Sequence, residues 1–328
     1  PVYYIPYIVT PSPLRKERKS GFLTPTISFN FFDSKTSQST SFPYYFNISE
    51  DKELTFTPIL NYGGGVDSSQ RFIFDYNQIL SGGSFSSDLI FDSNFENKNN
   101  NKWLSDASLI TNYKKNINEN YRITAASALQ TSKNYIQITQ PNSELSYTNS
   151  LSSNITLEGF NLNKIDDYFY VNTSIYQTSQ ENEDNKTNPT ILPNIKYYSG
   201  NTNLKNNDLN SEYQFYNIFR DKNTTVHAKG QQKLSYNLKT YRELIHSNTK
   251  LSFSSDSYAQ IFNTDSKLLH SNNLHTGTYF RLFPILGVSA ETPFKIKDNK
   301  YNFTFKPKTQ IVVSPGASNS NKVSNEDS

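Results

Sequence analysis

Residues 53–60 read Glu53-Leu54-Thr55-Phe56-Thr57-Pro58-Ile59-Leu60, with Leu54, Phe56, Pro58 and Leu60 alternating against Thr55 and Thr57, and Ile59 the one exception. Successive side chains of a strand point to opposite faces, so this is a β-strand with one apolar face and one polar face. The same alternation sets Leu23, Pro25, Ile27, Phe29 and Phe31 against Thr24, Thr26, Ser28 and Asn30. Phe72, Phe74 and Tyr76 oppose Arg71 and Asp75, and Leu89, Phe91 and Phe95 oppose Asp88, Asp92 and Asn94. Tyr301 to Val313 reads as one further strand, and weaker versions run through 103–113, 121–130, 151–160, 168–176, 213–220, 233–241, 251–262 and 279–290. The total is on the order of 13 strands, each long enough to cross a bilayer at a tilt. Polar linkers such as 180–189 and 199–211 contrast with tight ones such as 98–101, and unequal loops suit a barrel with short turns on one side.

Composition agrees. Only 34% of the 328 residues are hydrophobic, yet 14% are aromatic, which a disordered chain would lack. Strands apolar on a single face, separated by polar loops, account for both values. No run approaches the ~20 apolar residues of a membrane-spanning helix. The net charge of +3 is small and dispersed, which predicts no nucleic-acid partner. With Cys 0 there is neither a disulfide nor a thiolate metal site, and Met 0 with a start inside the apolar run PVYYIPYIV leads us to read the chain as a fragment. The competing soluble fold, an even-faced sandwich, would need apolar inner faces and closer turns.

Candidate chemistry is sparse. His227, His246, His270 and His275 have no ligand spacing, so no metal site is expected. Gly63, Gly64 and Gly65 lack the Lys-Ser/Thr ending of a phosphate loop and read as a turn, as do Gly82 and Gly83. Asp166 with Asp167, and Glu181 with Glu183 and Asp184, read as solvated loop carboxylates. No nucleophile constellation stands out, so we expect neither an enzyme nor a cofactor. Two prolines fall where a ladder needs donors: Pro25 in the first alternating strand and Pro43 in the second. Proline lacks the N–H, and two consecutive strands so marked suggest a weakened seam.

The run YYIPYIVTPSPLRKERKSGFLTPT resembles the domain junction of the LptD (OstA/Imp) family of lipopolysaccharide-assembly proteins. The matching elements are Tyr4-Ile5-Pro6-Tyr7, Arg18-Lys19, Ser20-Gly21-Phe22-Leu23 and Pro25, followed by Pro43-Tyr44-Tyr45-Phe46-Asn47-Ile48 and Thr55-Phe56-Thr57-Pro58. Arg281-Leu282-Phe283-Pro284, Lys306-Pro307-Lys308-Thr309-Gln310 and the segments 319–323 and 325–328 resemble the family's mid-barrel strands and following loop. The resemblance implies an all-β fold: the N-terminal part of a large antiparallel transmembrane β-barrel, preceded by the last strand of a periplasmic β-jelly-roll. Residues 1–14 would end the jelly-roll, 15–20 would be a basic linker, and 21–328 would be the first half of the barrel. It also implies an outer-membrane location in a Gram-negative cell. The partners would be lipopolysaccharide, the lipoprotein plug LptE, periplasmic bridge proteins and outer-membrane lipid. Pro25 and Pro43 would loosen a lateral gate, and Arg18, Lys19 and Gly21 would form the domain junction. The rivals are another barrel, such as a porin or plugged receptor, and a secreted glycan-binding β protein.

Overall fold

Nearly every alternating stretch forms a strand in the computed structural model, which describes residues 18–30, 37–63, 69–94, 106–180, 182–204, 207–269, 273–297, 302–316, 320–324 and 326. The chain divides into two compact units, one of residues 1–117, 122–155 and 175–185, the other of 118–121, 156–174 and 186–328. Residues 1–14, Gly64, Gly65, Phe95, 98–101 and Trp103 lie outside the described residues.

The first unit carries β1 (Gly21–Phe22), β2 (Thr26–Asn30), β3 (Ser37–Ser41), β4 (Tyr44–Ser49), β5 (Lys52–Gly63), β6 (Ser69–Leu80), β7 (Gly83–Asn94), β8 (Asp106–Asn116) and β9 (Tyr121–Gln130). Antiparallel registers place Phe56, Phe74, Leu89, Leu109 and Leu129 side by side from β5 to β9. That row is one continuous apolar face, and its rings touch, Phe56 on Phe74 at 4.7 Å and Phe72 on Phe91 at 4.9 Å between centroids. The other face is mixed: Ile73 pairs with Ile90 and Ile110 with Ala128, while Arg71 stands opposite Asp92, which accepts hydrogen bonds of 2.8 and 2.9 Å from Nε and Nη2.

β10 (Ser150–Phe160) and β11 (Tyr168–Thr178) follow, and then the second unit's β12 (Thr190–Tyr198), β13 (Thr202–Leu204), β14 (Asn207–Phe219), β15 (Gly230–His246), β16 (Thr249–Leu268), β17 (Leu274–Glu291), β18 (Phe294–Lys297), β19 (Asn302–Phe305) and β20 (Lys308–Val313). Here Phe215, Leu234, Ile261 and Phe280 align across four strands, and the last three are 53%, 44% and 69% exposed. The alternate residues Gln231, Lys233, Ser235, Asn237 and Gln260 are buried. A soluble sheet buries its apolar face, so this is the reverse of the water-soluble pattern and the one expected of a wall against lipid. Buried polar groups need partners. Gln231 donates to the Tyr216 hydroxyl at 3.1 Å, Arg281 donates to Gln260 Oε1, and the Lys233 ammonium lies 5.3 Å from the Tyr216 ring and 5.8 Å from that of Phe262.

Within each unit the connections are unequal. Ser81-Gly82 joins β6 to β7 and Ser247-Asn248 joins β15 to β16, whereas residues 95–105 separate β7 from β8 and 220–229 separate β14 from β15. Because antiparallel strands alternate direction, the tight turns share one end of each unit and the long connections the other.

Two expectations are corrected, and one strand is added that the alternation did not mark. The stretch 190–198 is strand although its apolar residues do not alternate cleanly, and a bulge between Ile191 and Asn194 explains why. Much of the polar linker 199–211 is strand too, because residues 202–204 and 207–209 pair as a hairpin. Finally, Tyr301–Val313 is not one strand. Thr292 N–H donates to Pro307 O at 3.2 Å, but Pro307 has no N–H to return the bond, and the ladder parts there into β17–β20 and β18–β19.

Gly83 closes the β6–β7 hairpin opposite Leu80 and on its other side faces Lys115 of β8, where an added Cβ would sit 1.9 Å from the Lys114 carbonyl oxygen. Gly83→Ala is expected to destabilise the first unit by about 1–3 kcal/mol, the cost of an overpacked contact that only backbone movement can relieve. Gly316, with nothing within 4 Å of its added Cβ, is the control. Urea titration of the detergent-folded protein checks the pair; equal midpoints would mean that β7 and β8 do not approach at Gly83 as described.

Candidate functional site

The first two alternating strands are each cut in two, at the same height. β1 pairs with β4 (Phe22↔Tyr44) and β2 with β3 (Thr26↔Ser41), leaving Leu23-Thr24-Pro25 on one strand and Phe42-Pro43 on the next unladdered. Three residues separate Phe22 from Thr26 but two separate Ser41 from Tyr44, so the first strand carries one extra residue, as in a bulge. One half-bond bridges the gap: Leu23 N–H donates to Pro43 O at 2.8 Å, and Pro43 cannot reciprocate.

A third proline extends the defect. Phe42 N–H donates to Pro58 O at 3.1 Å, and Pro58, within β5, has no N–H to give back. Pro25, Pro43 and Pro58 therefore lie in one lateral line across three strands. The sequence singles out the first two and places Pro58 only on the apolar face of 53–60. What would have exposed it is the β3–β5 register, Ser41↔Ile59, which the alternation alone does not fix.

The segment entering β1 is tied to the short-turn end. Arg18 Nη1 donates to Glu53 Oε2 at 3.0 Å, Arg18 O accepts from Asn47 Nδ2 at 2.9 Å, and Ser20 Oγ accepts from Asn47 N at 2.8 Å. Tyr45 OH donates to the same Glu53 oxygen at 2.9 Å. Lys19 is exposed between these ties, and Gly21 is buried opposite Tyr45. Arg18 itself is 60% exposed, so the ion pair orients the entry more than it stabilises it.

At the long-connection end of each unit, a non-strand segment covers the face opposite the exposed apolar row. In the first, the short helix α1 (Tyr135–Thr139) and the 3₁₀ turn Glu144–Tyr147 pack Ile136 and Leu145 with Ala128, Leu151 and Ile110. Gln130 Oε1 accepts from Ile136 N at 3.0 Å, and burial pushes the Tyr135 phenol well above its usual range. In the second, Ser324 and Glu326 insert against β15 and the β14–β15 connection. Glu326 takes a two-pronged ion pair from Arg220 at 2.8 and 2.5 Å, with both side chains 3% exposed, and His227 Nδ1 lies 3.6 Å away. Ser324 N donates to Gln231 Oε1 at 2.8 Å, and Lys267 Nζ donates to Val323 O at 2.7 Å. Burial opposes the Glu326 charge, but the neighbouring His227 and the bonds from Arg220 and Ser324 outweigh it and hold the carboxyl down at about 2.

Asp167 is not the solvated loop carboxylate expected. It is buried and accepts from the N–H groups of Leu162, Asn163 and Lys164, which outweigh burial and hold its carboxyl below the usual range. Among the described residues, no group of three or more His, Cys, Asp or Glu side chains is placed to hold a metal.

Because the Glu326 carboxyl is depressed from 4.5 to about 2, its anchoring is present above pH 4.5 and lost as pH falls through about 2. The chain has Cys 0, so a single spin label at Lys322→Cys reports on the segment. The label is expected to be immobile at neutral pH, to loosen as pH falls from 4.5 toward 2, and to be mobile throughout in Glu326→Gln. A pH-independent spectrum identical in both proteins would exclude the anchor.

No family model matches the chain. Among curated proteins it is similar to the LPS-assembly protein LptD of Photobacterium profundum, 30% identical over 118 residues, which is 35% of this chain and 14% of that protein. Its similarity to the LptD of Hahella chejuensis is 31% over 142 residues, 42% of this chain and 16% of that protein. For Burkholderia thailandensis LptD the values are 36% over 85 residues, 25% and 10%. The matches thus span well under a fifth of these relatives' lengths, and over the stretches they cover the chain is LptD-like.

Proposed function

We propose that this chain is wall and seam of an outer-membrane β-barrel that passes lipopolysaccharide sideways into the outer leaflet. The observation that carries the reading is the line of Pro25, Pro43 and Pro58 across the first strands, where two half-pairs replace full ones. In hydrocarbon every backbone donor and acceptor must be met within the protein, so a wall is weakest where donors are missing. A lipid with a large polar head needs such a parting, because its acyl chains must leave laterally while its sugars stay in water. The apolar row of each unit supplies a face toward lipid. Similarity to LPS-assembly proteins supports the substrate, and with it an LptE-like plug and periplasmic bridge proteins as partners. On this reading residues 1–14 end a periplasmic jelly-roll, 15–20 link it to the barrel, and Arg18, Lys19 and Gly21 fix the junction. No step of it is catalytic; the free energy for lipid movement enters from elsewhere.

Two experiments test it. In the full-length protein, Pro25→Ala with Pro43→Ala restores two donors, each worth ~1 kcal/mol net. Export is expected to fall while the heat-modifiable folded barrel stays at its normal level; normal export with normal barrel would remove the gate assignment. Separately, Leu282→Arg on the exposed apolar face is expected to cost about 2–4 kcal/mol of bilayer-folded stability if it lies near the midplane, and Ile285→Arg on the opposite face far less. Equal costs would count against a lipid-facing wall.

A further inference from the structure

The proposed seam makes no use of the β18–β19 hairpin, which lies at the short-turn end beyond the second proline break. Its pairing continues the β17–β20 ladder with no residue inserted: Glu291↔Lys308 is followed by Phe294↔Phe305. The exposed face of Leu286, Val288, Ile311 and Val313 therefore runs on, in phase, into Phe294, Phe305 and Phe303. Those three rings are 52%, 65% and 58% exposed, and Phe294 and Phe305 stack at 6.5 Å. Residues 293–308, PFKIKDNKYNFTFKPK, carry five lysines against one aspartate, and Lys295, Lys306 and Lys308 are exposed.

We propose that this hairpin is an interfacial lipid-binding element, which lies along the membrane surface with its phenylalanines among acyl chains and its lysines on the phosphates of anionic phospholipid. The proposal rests on the lipid-facing wall inferred above. Position supports it: Phe294 follows Val288 by six residues, about 20 Å of strand and about 15 Å along the membrane normal at a ~40° tilt. That puts the hairpin past the apolar band, where an element with one aromatic face and one basic face is stable in the plane of the headgroups. The break supplies the bend. Pro293 and Pro307 leave one bond, Thr292 N–H to Pro307 O, to hold the hairpin to the wall, so it can tilt away from the strand direction without losing a full ladder. Charge decides between lipid and another protein as the occupant: lysines behind an aromatic face match a layer of phosphates, with stems that snorkel to reach it.

The test places an environment-sensitive fluorophore on a single cysteine, at Phe305→Cys or at Leu282→Cys, in full-length protein folded into vesicles of phosphatidylcholine alone or with phosphatidylglycerol. Doxyl lipids labelled at shallow or deep positions act as quenchers. The Leu282 probe is expected to be quenched by deep doxyl in both vesicles. The Phe305 probe should be quenched by shallow doxyl, and more so with phosphatidylglycerol. Reversing Lys295, Lys306 and Lys308 to Glu should abolish the phosphatidylglycerol dependence, on the order of fivefold in surface preference per lysine. If the Leu282 probe escapes quenching, the wall reading fails and the hairpin proposal with it. If Leu282 is quenched but Phe305 stays solvent-like, the hairpin proposal alone is overturned, and a protein would be the better occupant. Shallow quenching that ignores both phosphatidylglycerol and the lysine reversals would refute the phosphate contact.

Discussion

The backbone N–H is the quantity on which this architecture turns. A strand wall is held by reciprocal pairs of N–H···O bonds, and each proline removes one donor and leaves its partner carbonyl unmet. Where prolines are isolated the ladder survives, as at Pro284, which stays paired opposite Ser257 in the middle of β17. Where they coincide on neighbouring strands the ladder parts, once at Pro25 and Pro43 and again at Pro293 and Pro307. What matters is registration, since two adjacent half-pairs fail together while two distant ones do not.

The second constraint is the inverted face. A chain with 34% hydrophobic residues cannot build the usual interior from every strand, but it can line one side of a wall. Rows such as Phe215, Leu234, Ile261 and Phe280 spend the apolar residues outward. The covered face is then held by polar contacts, Gln231 to Tyr216 and Ser324, and Arg281 to Gln260. Such a face is worth covering only if its groups are satisfied, and the segments of α1 and of Ser324–Glu326 bring both donors and acceptors to it.

Strand existence and facing were legible because period-two alternation is local: the faces read from Phe56, Phe74 and Leu89 agree with the registers. Pairing is not local, and that is where reading stopped. Nothing near Pro58 in the sequence says that it meets Phe42, and nothing near Pro307 says that it meets Thr292. The bulged strand 190–198 was lost because a bulge shifts the phase on which alternation depends. The Glu326–Arg220 pair joins residues far apart in the chain, with no pattern to announce it. Nor does anything near Arg18 or Gly21 in the sequence say that they meet Glu53 and Tyr45.

The two breaks differ in a way that follows from what surrounds them. At Pro25 and Pro43 the first strand carries an extra residue, and strand resumes on both sides within the same wall, so the defect weakens the wall without ending it. At Pro293 and Pro307 no residue is inserted, and only a four-residue pair lies beyond, so the defect frees an end. A bulge stores local twist and re-aims side chains, whereas an in-register gap preserves phase. Phase is what keeps Phe294 and Phe305 on the same side as Val288 and Ile311. On the proposed reading the same missing donor loosens a joint in one place and articulates an anchor in another, and the residue count between the flanking pairs distinguishes the two.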